Sequence, residues 1–182
     1  MKISEEGLMP SPIEQMDAAS VIQILDLFRS NGIEGVVDGG WAVDALLGEQ
    51  TRPHGDLDIA LMHRDVPRLR ILLETAGYAD VPSVDRREYN FIMGDSLGHR
   101  VDVHSYEFDE AGHNVFGVAY IPEQLTGQGT IMGYLVRCIP VDWLIKFHDG
   151  YELDGNDYRD VRALCDRFGL TLPARFGRFV EE

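Results

Sequence analysis

Basic residues are scarce in this chain: 182 residues carry 16 Lys and Arg against 31 Asp and Glu, a formal net charge of −15. A nucleic-acid-binding surface needs a basic stripe to neutralise phosphates, so nucleic acid is not an expected partner. The acidic field favours divalent metals and cationic small molecules, although the same acidity also aids solubility. Cysteine is nearly lacking as well. Cys138 and Cys165 are too far apart to form a metal motif, a domain of this length needs no disulfide, and both read as free thiols of a reducing cytoplasm. No apolar run approaches the ~18 residues of a membrane span. Met1 to Pro12 is polar and acidic, without the basic start and apolar core of a secretory signal. There is no internal repeat and no low-complexity segment. What is present is an ordinary 45% of hydrophobic residues, enough for one compact domain with a small helical appendage. Nothing in the composition fixes the oligomeric state, and a homodimer stays open.

The hydrophobic pattern reads as alternating helices and strands. Asp17 can cap a helix over Ala18–Asn31 whose apolar positions Val21, Ile22, Leu25 and Phe28 follow helical spacing, with Gly32 at its end. A short strand at Gly35–Val37 leads into Gly39-Gly40 and a helix over Trp41–Leu47 closed by Gly48. Thr51–Gly55 is a loop, Asp56–Met62 a strand with alternating faces, and Val66–Ala76 a helix with Pro67 in its first turn. Strands follow at Tyr89–Met93 and His99–Tyr106 around a turn at Gly94–Gly98, with weaker ones at Val115–Tyr120 and Ile131–Arg137. From Pro140 the pattern becomes helical, with Val141–Tyr151 and Asp157–Phe168 as candidates. The expected architecture is α/β (α+β): a mixed sheet flanked by helices over residues 1–138, and a C-terminal helical tail, 139–182, packed on it without a linker.

The chemistry centres on Asp56-Leu57-Asp58. Residues i and i+2 of a strand share a face, so two carboxylates stand together while Leu57 and Ile59 turn to the core. Two close anions repel, and a hard divalent cation such as Mg²⁺ relieves them through oxygen ligands. Half-exposed strands also carry Asp-x-Asp by chance, so the tripeptide alone does not decide. Asp102 adds to it. In Val101-Asp102-Val103 the valines face the core and the carboxylate faces out. If the two strands are neighbours, three acids converge, as a two-metal phosphoryl-transfer site requires. Upstream, Gly39-Gly40 lies where a strand gives way to a helix, a place where backbone can approach a phosphate, though an ordinary tight turn reads the same. Arg52 and His54, between the turn and the acids, can meet a triphosphate's charge or sit in a surface loop.

Together these segments resemble the signature of the antibiotic-resistance nucleotidyltransferases. Gly39-Gly40-Trp41-Ala42-Val43-Asp44, then Thr51-Arg52-Pro53-His54-Gly55-Asp56-Leu57-Asp58-Ile59, and later Val101-Asp102-Val103-His104, are similar to the lincosamide and aminoglycoside 2''-nucleotidyltransferases of the DNA polymerase β-like superfamily. A weaker echo, Phe147-His148-Asp149-Gly150-Tyr151-Glu152-Leu153, leans to the lincosamide group. The resemblance implies a mixed sheet with a C-terminal helical bundle closing a cleft. It implies Asp56 and Asp58 as Mg²⁺ ligands, and Asp102 as a third metal ligand or as the base that takes the acceptor's proton. Many superfamily members have Gly-Ser where Gly39-Gly40 stands, which leaves phosphate contacts to backbone N–H groups.

The expected activity is therefore Mg²⁺-dependent transfer of a nucleoside monophosphate, AMP from ATP, to a hydroxyl of a small aminated antibiotic, with release of pyrophosphate. Asp56, Asp58 and Asp102 are the metal and catalytic candidates; Gly39, Gly40, Arg52, His54 and Lys146 are the nucleotide-binding ones. Asp44 can hold Arg52 or be solvated. Arg86-Arg87, Glu107 and His148 are further polar candidates, and Tyr89, Trp143 and Tyr151 are candidates for stacking on base or antibiotic, a position where aromatic residues are also core. Two alternatives belong to other classes: a toxin-like nucleotidyltransferase acting on a protein or RNA, and a nucleotide-binding relative without catalysis.

Overall fold

The structure, a computed structural model, describes residues 16–148 and 153–179. Helix α1 (Ala18–Ser30) starts where the Asp17 carboxylate accepts the Ser20 N–H at 2.7 Å and buries Val21, Ile24, Leu25 and Phe28. After strand β1 (Val36–Val37) comes α2 (Gly39–Leu47), capped by Asp38 and ended by Gly48. The two glycines thus form the first turn of the helix, not a turn ahead of it. Strand β2 (Leu57–Met62) and helix α3 (Val66–Thr75) follow. Then come β3 (Ala79–Val81), β4 (Asn90–Gly94), β5 (Arg100–Phe108) and β6 (Asn114–Gly117). The hairpin β7 (Gly127–Ile131) and β8 (Tyr134–Cys138) precedes helices α4 (Val141–His148) and α5 (Gly155–Phe168). The expectation of a helix running on to Tyr151 falls partly outside the described residues.

The strands form one open mixed sheet in the order β3-β4-β5-β2-β1-β8-β7. The pairs β2–β5 and β1–β8 are parallel, and the rest are antiparallel. Strand β4 leaves β5 at His104, and β6 takes up the vacated edge from Tyr106 onward. Two expectations needed correction. Ile131–Arg137 is not one strand: it crosses the β7–β8 turn, where Met132 (φ 50°) and Gly133 (φ 79°) both adopt the left-handed backbone of a tight hairpin. The segment Val115–Tyr120 ends early as a strand because Gly117 (φ 87°) breaks the extended run.

Alternation along β2 sends Leu57, Ile59 and Leu61 to one face, where Ile59 and Phe28 of α1 share the space beside Gly35. Asp58 points to the other face, against the start of α2. The C-terminal helices pack on that helix, and Leu144, Val161 and Leu164 are buried in the same apolar core as Trp41, Ala42 and Val43. No described helix is long and apolar enough to cross a membrane.

Candidate active site

The site lies where β2 begins, and adjacent strands assemble it. The β2–β5 register sets Asp58 directly opposite Asp102, so the sequence separation of the two acids disappears in the sheet. Position 104, two residues along β5, shares the Asp102 face. Oxygens of Asp58 and Asp102 and a ring nitrogen of His104 all lie within 4.8 Å of one another, a spacing suited to a metal ion. Asp56 stands just ahead of β2 and outside this compact set, but it faces the same cavity.

That cavity has a volume of about 380 Å³. The sheet side contributes Asp38, Asp56, Asp58 and His104, the α2 corner Gly39 and Gly40, and the preceding loop Arg52 and His54. The C-terminal helices close it with Leu144, Phe147 and His148 of α4 and Asp154, Asn156 and Asp157 around the start of α5. Asp102 does not reach its wall; its buried Oδ1 lies 3.4 Å from His104 Nε2 and makes no close hydrogen bond among the described residues.

The glycine pair is explained by close approach. A Cβ at Gly39 would lie 2.1 Å from Asp58 Oδ2, and one at Gly40 would lie 2.4 Å from His54 Nδ1 and 2.7 Å from Arg52 Nη2. The corner is therefore moulded against the side chains it helps to place. Asp38, buried as the α2 cap, accepts from Gly39 N–H at 2.8 Å and from the Tyr120 hydroxyl at 2.8 Å. Burial, and then the Asp38 anion beside it, hold the Tyr120 phenol far above its ordinary range.

Arg52 and His54 are each locked by an acid. Asp44 does not hold Arg52. Its carboxylate takes the His54 Nε2 contact at 2.5 Å and accepts from Thr51 N–H (3.0 Å) and Oγ1–H (2.6 Å). Arg52 is held by Asp160 of α5 through Nε (3.0 Å) and Nη2 (2.7 Å), and this raises its pKa further. The Asp160 carboxylate is only 2% exposed. From the other wall, His148 Nδ1 lies 3.0 Å from Asp157, which also accepts the Asp154 N–H in the α5 cap.

Two of the clustered acids, Asp58 and Asp56, titrate abnormally. Burial pushes the Asp58 carboxyl up to about 7, and the negative charges of Asp56, Asp38 and Asp102 add to it while His104 opposes. Asp56 is raised by burial and by Asp102, against Arg100, His54 and Arg52. Burial disfavours charge on His104, but Asp102, 3.4 Å from its Nε2, with Asp58 and Asp38, outweighs it and lifts the imidazole to about 9. A cluster that holds a proton on an aspartate near neutrality lacks positive charge, which a divalent cation supplies.

The remaining candidates lie elsewhere. Lys146 is exposed and sits 4.1 Å over the Trp143 ring, off the cavity wall. Arg86 pairs with Asp80 at 3.2 Å, and Tyr89 packs edge-on against Phe116. Glu107 pairs across to β6. Tyr151 falls outside the described residues. Sequence reasoning passed over His104, Asp160 and Asp38. For His104 a signal existed, the two-residue period after Asp102; for Asp160 there was none, because its partner Arg52 is 108 residues away.

Comparison with known proteins shows the family and the fold. The model of the aminoglycoside-2''-adenylyltransferase family matches residues 20–164. A lincosamide resistance protein of Staphylococcus haemolyticus is 28% identical over 153 residues, covering 78% of this chain and 89% of its own. A 2''-aminoglycoside nucleotidyltransferase of Escherichia coli is 29% identical over 140 residues, covering 64% and 73%. Among solved structures, a lincomycin-bound lincosamide antibiotic adenylyltransferase superposes with a TM-score of 0.72 at 23% identity, covering 82% of this chain and 97% of that one. ANT(2'')-Ia in complex with adenylyl-2''-tobramycin gives 0.68 at 20% identity, covering 84% and 89%. At those identities the structures speak to the fold.

Proposed function

The chain belongs to the aminoglycoside-2''-adenylyltransferase family of antibiotic nucleotidyltransferases, and from that premise we propose that it transfers AMP from ATP, with Mg²⁺, to a hydroxyl of a small aminated antibiotic of the lincosamide or aminoglycoside class, releasing pyrophosphate. The observation that carries this reading is the register of Asp58, on a cavity wall shared with Gly39, Gly40, Arg52 and His54, against Asp102 on the neighbouring strand. Metal-suited oxygens and phosphate-suited groups then face one space.

The chain's own residues divide the work. Asp58 and Asp102 would hold the cation, with Asp56 beside them, and Mg²⁺ there would supply positive charge against the triphosphate and the departing pyrophosphate. Arg52, aimed by Asp160, and the α2 corner at Gly39-Gly40 take phosphate oxygens. The acceptor hydroxyl enters from the side of α4 and α5 and attacks the α-phosphorus in line. Asp56, on the cavity wall and raised in pKa, is better placed than Asp102 to meet the proton of that hydroxyl. Asp102, off the cavity wall and beside His104, would serve the metal. Asp154 and Asp157 offer negative charge to an aminated acceptor.

The test is a matrix of ATP, GTP, CTP and UTP against lincosamides, aminoglycosides and neutral sugars, read by pyrophosphate release with and without Mg²⁺. Release that requires ATP, Mg²⁺ and an aminated antibiotic is expected. Release onto no antibiotic, while a protein or RNA acceptor is labelled, would refute the proposed acceptor class.

A further inference from the structure

We propose that His104 is a metal ligand in this chain, so that Asp58, Asp102 and His104 bind a divalent cation through two carboxylate oxygens and one imidazole nitrogen. The inference rests on the metal-dependent reaction proposed above and adds the third donor and the kind of metal the site prefers.

Several observations lead to it. Alternation places Asp102 and His104 on one face of β5, and the register places Asp58 opposite Asp102. Opposite His104 stands Ala60, whose methyl leaves the ring room beside Asp58. The three donor atoms lie within 4.8 Å of one another, whereas Asp56 is not part of that set. His104 also lines the cavity, so an ion held there can still meet a ligand from solvent, and the buried Asp102 Oδ1 faces His104 Nε2 at 3.4 Å without a close hydrogen bond among the described residues. The other two cavity histidines are engaged elsewhere, His54 Nε2 with Asp44 and His148 Nδ1 with Asp157.

The donor set has a chemical consequence. Mg²⁺ is a hard ion that prefers oxygen alone, whereas Mn²⁺ and the later divalent ions also accept imidazole. A site with two oxygens and one nitrogen should therefore hold Mn²⁺ more tightly than Mg²⁺ and should lose much of that preference when the nitrogen is removed. The competing arrangement keeps His104 as an imidazolium, a resident positive charge that repels the ion. The two differ in sign: removing a ligand weakens metal binding, and removing a repelling cation strengthens it.

The experiment loads the full chain with Mn²⁺, alone and then with a non-hydrolysable ATP analogue, and records electron spin-echo modulation of the bound ion. Expected is nitrogen modulation that changes to the ¹⁵N pattern when histidine is ¹⁵N-labelled. It should vanish in His104→Gln, whose Mn²⁺ affinity should fall about tenfold or more, with a smaller loss for Mg²⁺. Bound Mn²⁺ without histidine nitrogen, or tighter binding by His104→Gln, overturns the assignment and leaves the reaction proposed above standing. No Mn²⁺ bound by the wild type, with or without the analogue, overturns both. If the variant does not fold, the isotope change in the wild type decides alone.

Discussion

A methyl group at position 39 would stand 2.1 Å from an Asp58 carboxylate oxygen, on backbone at φ 57° that side chains rarely adopt. Gly39→Ala should therefore cost about 1–2 kcal/mol in strain. Its larger effect should fall on Mg²⁺-dependent triphosphate binding, because Asp58 must move; urea unfolding and calorimetry on the same variant separate the two. Asp58 itself makes a pH-dependent prediction. Its folded pKa, about 7, lies above its unfolded value, so in chelator its contribution to stability is present at low pH and is lost as pH rises from ~4 through about 7. Asp58→Asn, which removes that charge and nearly keeps the shape, should melt close to wild type near pH 5. It should melt higher near pH 8, by about 2–4 °C for each kcal/mol relieved. The same variant should lose most of the stabilisation that ligand at 100 times its dissociation constant gives, about 2.7 kcal/mol. A variant that melts lower in chelator at pH 8 would make Asp58 a structural acceptor. The shared face of Asp58 and Asp102 could be read from the sequence because strand alternation and the flanking apolar residues decide which way a carboxylate points, whereas Asp56, expected to open the strand, lies just ahead of β2. His104 carried a signal, the two-residue period after Asp102, but its role depends on the β2–β5 register, which sets Asp58 opposite Asp102 and Ala60 opposite His104.

At the scale of elements, the C-terminal helices are tied to the nucleotide side of the cavity by Arg52 and Asp160. Asp160→Asn leaves shape but removes the charge that aims the guanidinium. It should destabilise by about 1.5–3 kcal/mol, the range for hydrogen bonds to charged groups, and should raise KM for ATP more than it lowers kcat. Asp160→Glu should recover part of the KM, which a purely packing role would not explain. Arg52→Lys should behave like Asp160→Asn, since an ammonium cannot keep the two-pronged contact. Equal losses in kcat and KM effect across these variants would place the pair in the fold and not in substrate binding. The helices that carry these residues, and β2, β4 and β5, were legible from caps and periodicity. Strands β3 and β7 were not. Ala79–Val81 is a short, exposed edge strand with no apolar alternation, and Gly127-Gln128-Gly129 reads as loop. Gly129 is there because a Cβ would lie 2.3 Å from the Ala45 carbonyl oxygen of α2, a tertiary approach that local sequence does not encode.

Over the whole molecule, the charge of −15 should draw cationic acceptors toward the cavity and make their capture weaken with salt. At ~0.15 M the screening length is about 8 Å. KM for an aminoglycoside should therefore rise between low and physiological salt, while KM for a neutral acceptor stays nearly constant. Preferred turnover of a neutral or anionic sugar would contradict that steering. The neighbouring strands β2 and β5 supply Asp58 and Asp102, the α2 corner and its loop supply the phosphate-facing groups, and the C-terminal helices supply the opposite wall. None of these parts forms the cavity alone, and all of them serve the nucleotide only if the metal reading of Asp58 and Asp102 is right. The most direct measurement is calorimetry of a non-hydrolysable ATP analogue with the full chain, in Mg²⁺ and in chelator, repeated with Asp58→Asn. Binding that needs Mg²⁺ and falls at least about tenfold, ~1.4 kcal/mol, in the variant is the predicted result; equal binding in chelator and Mg²⁺, unchanged by Asp58→Asn, would contradict it.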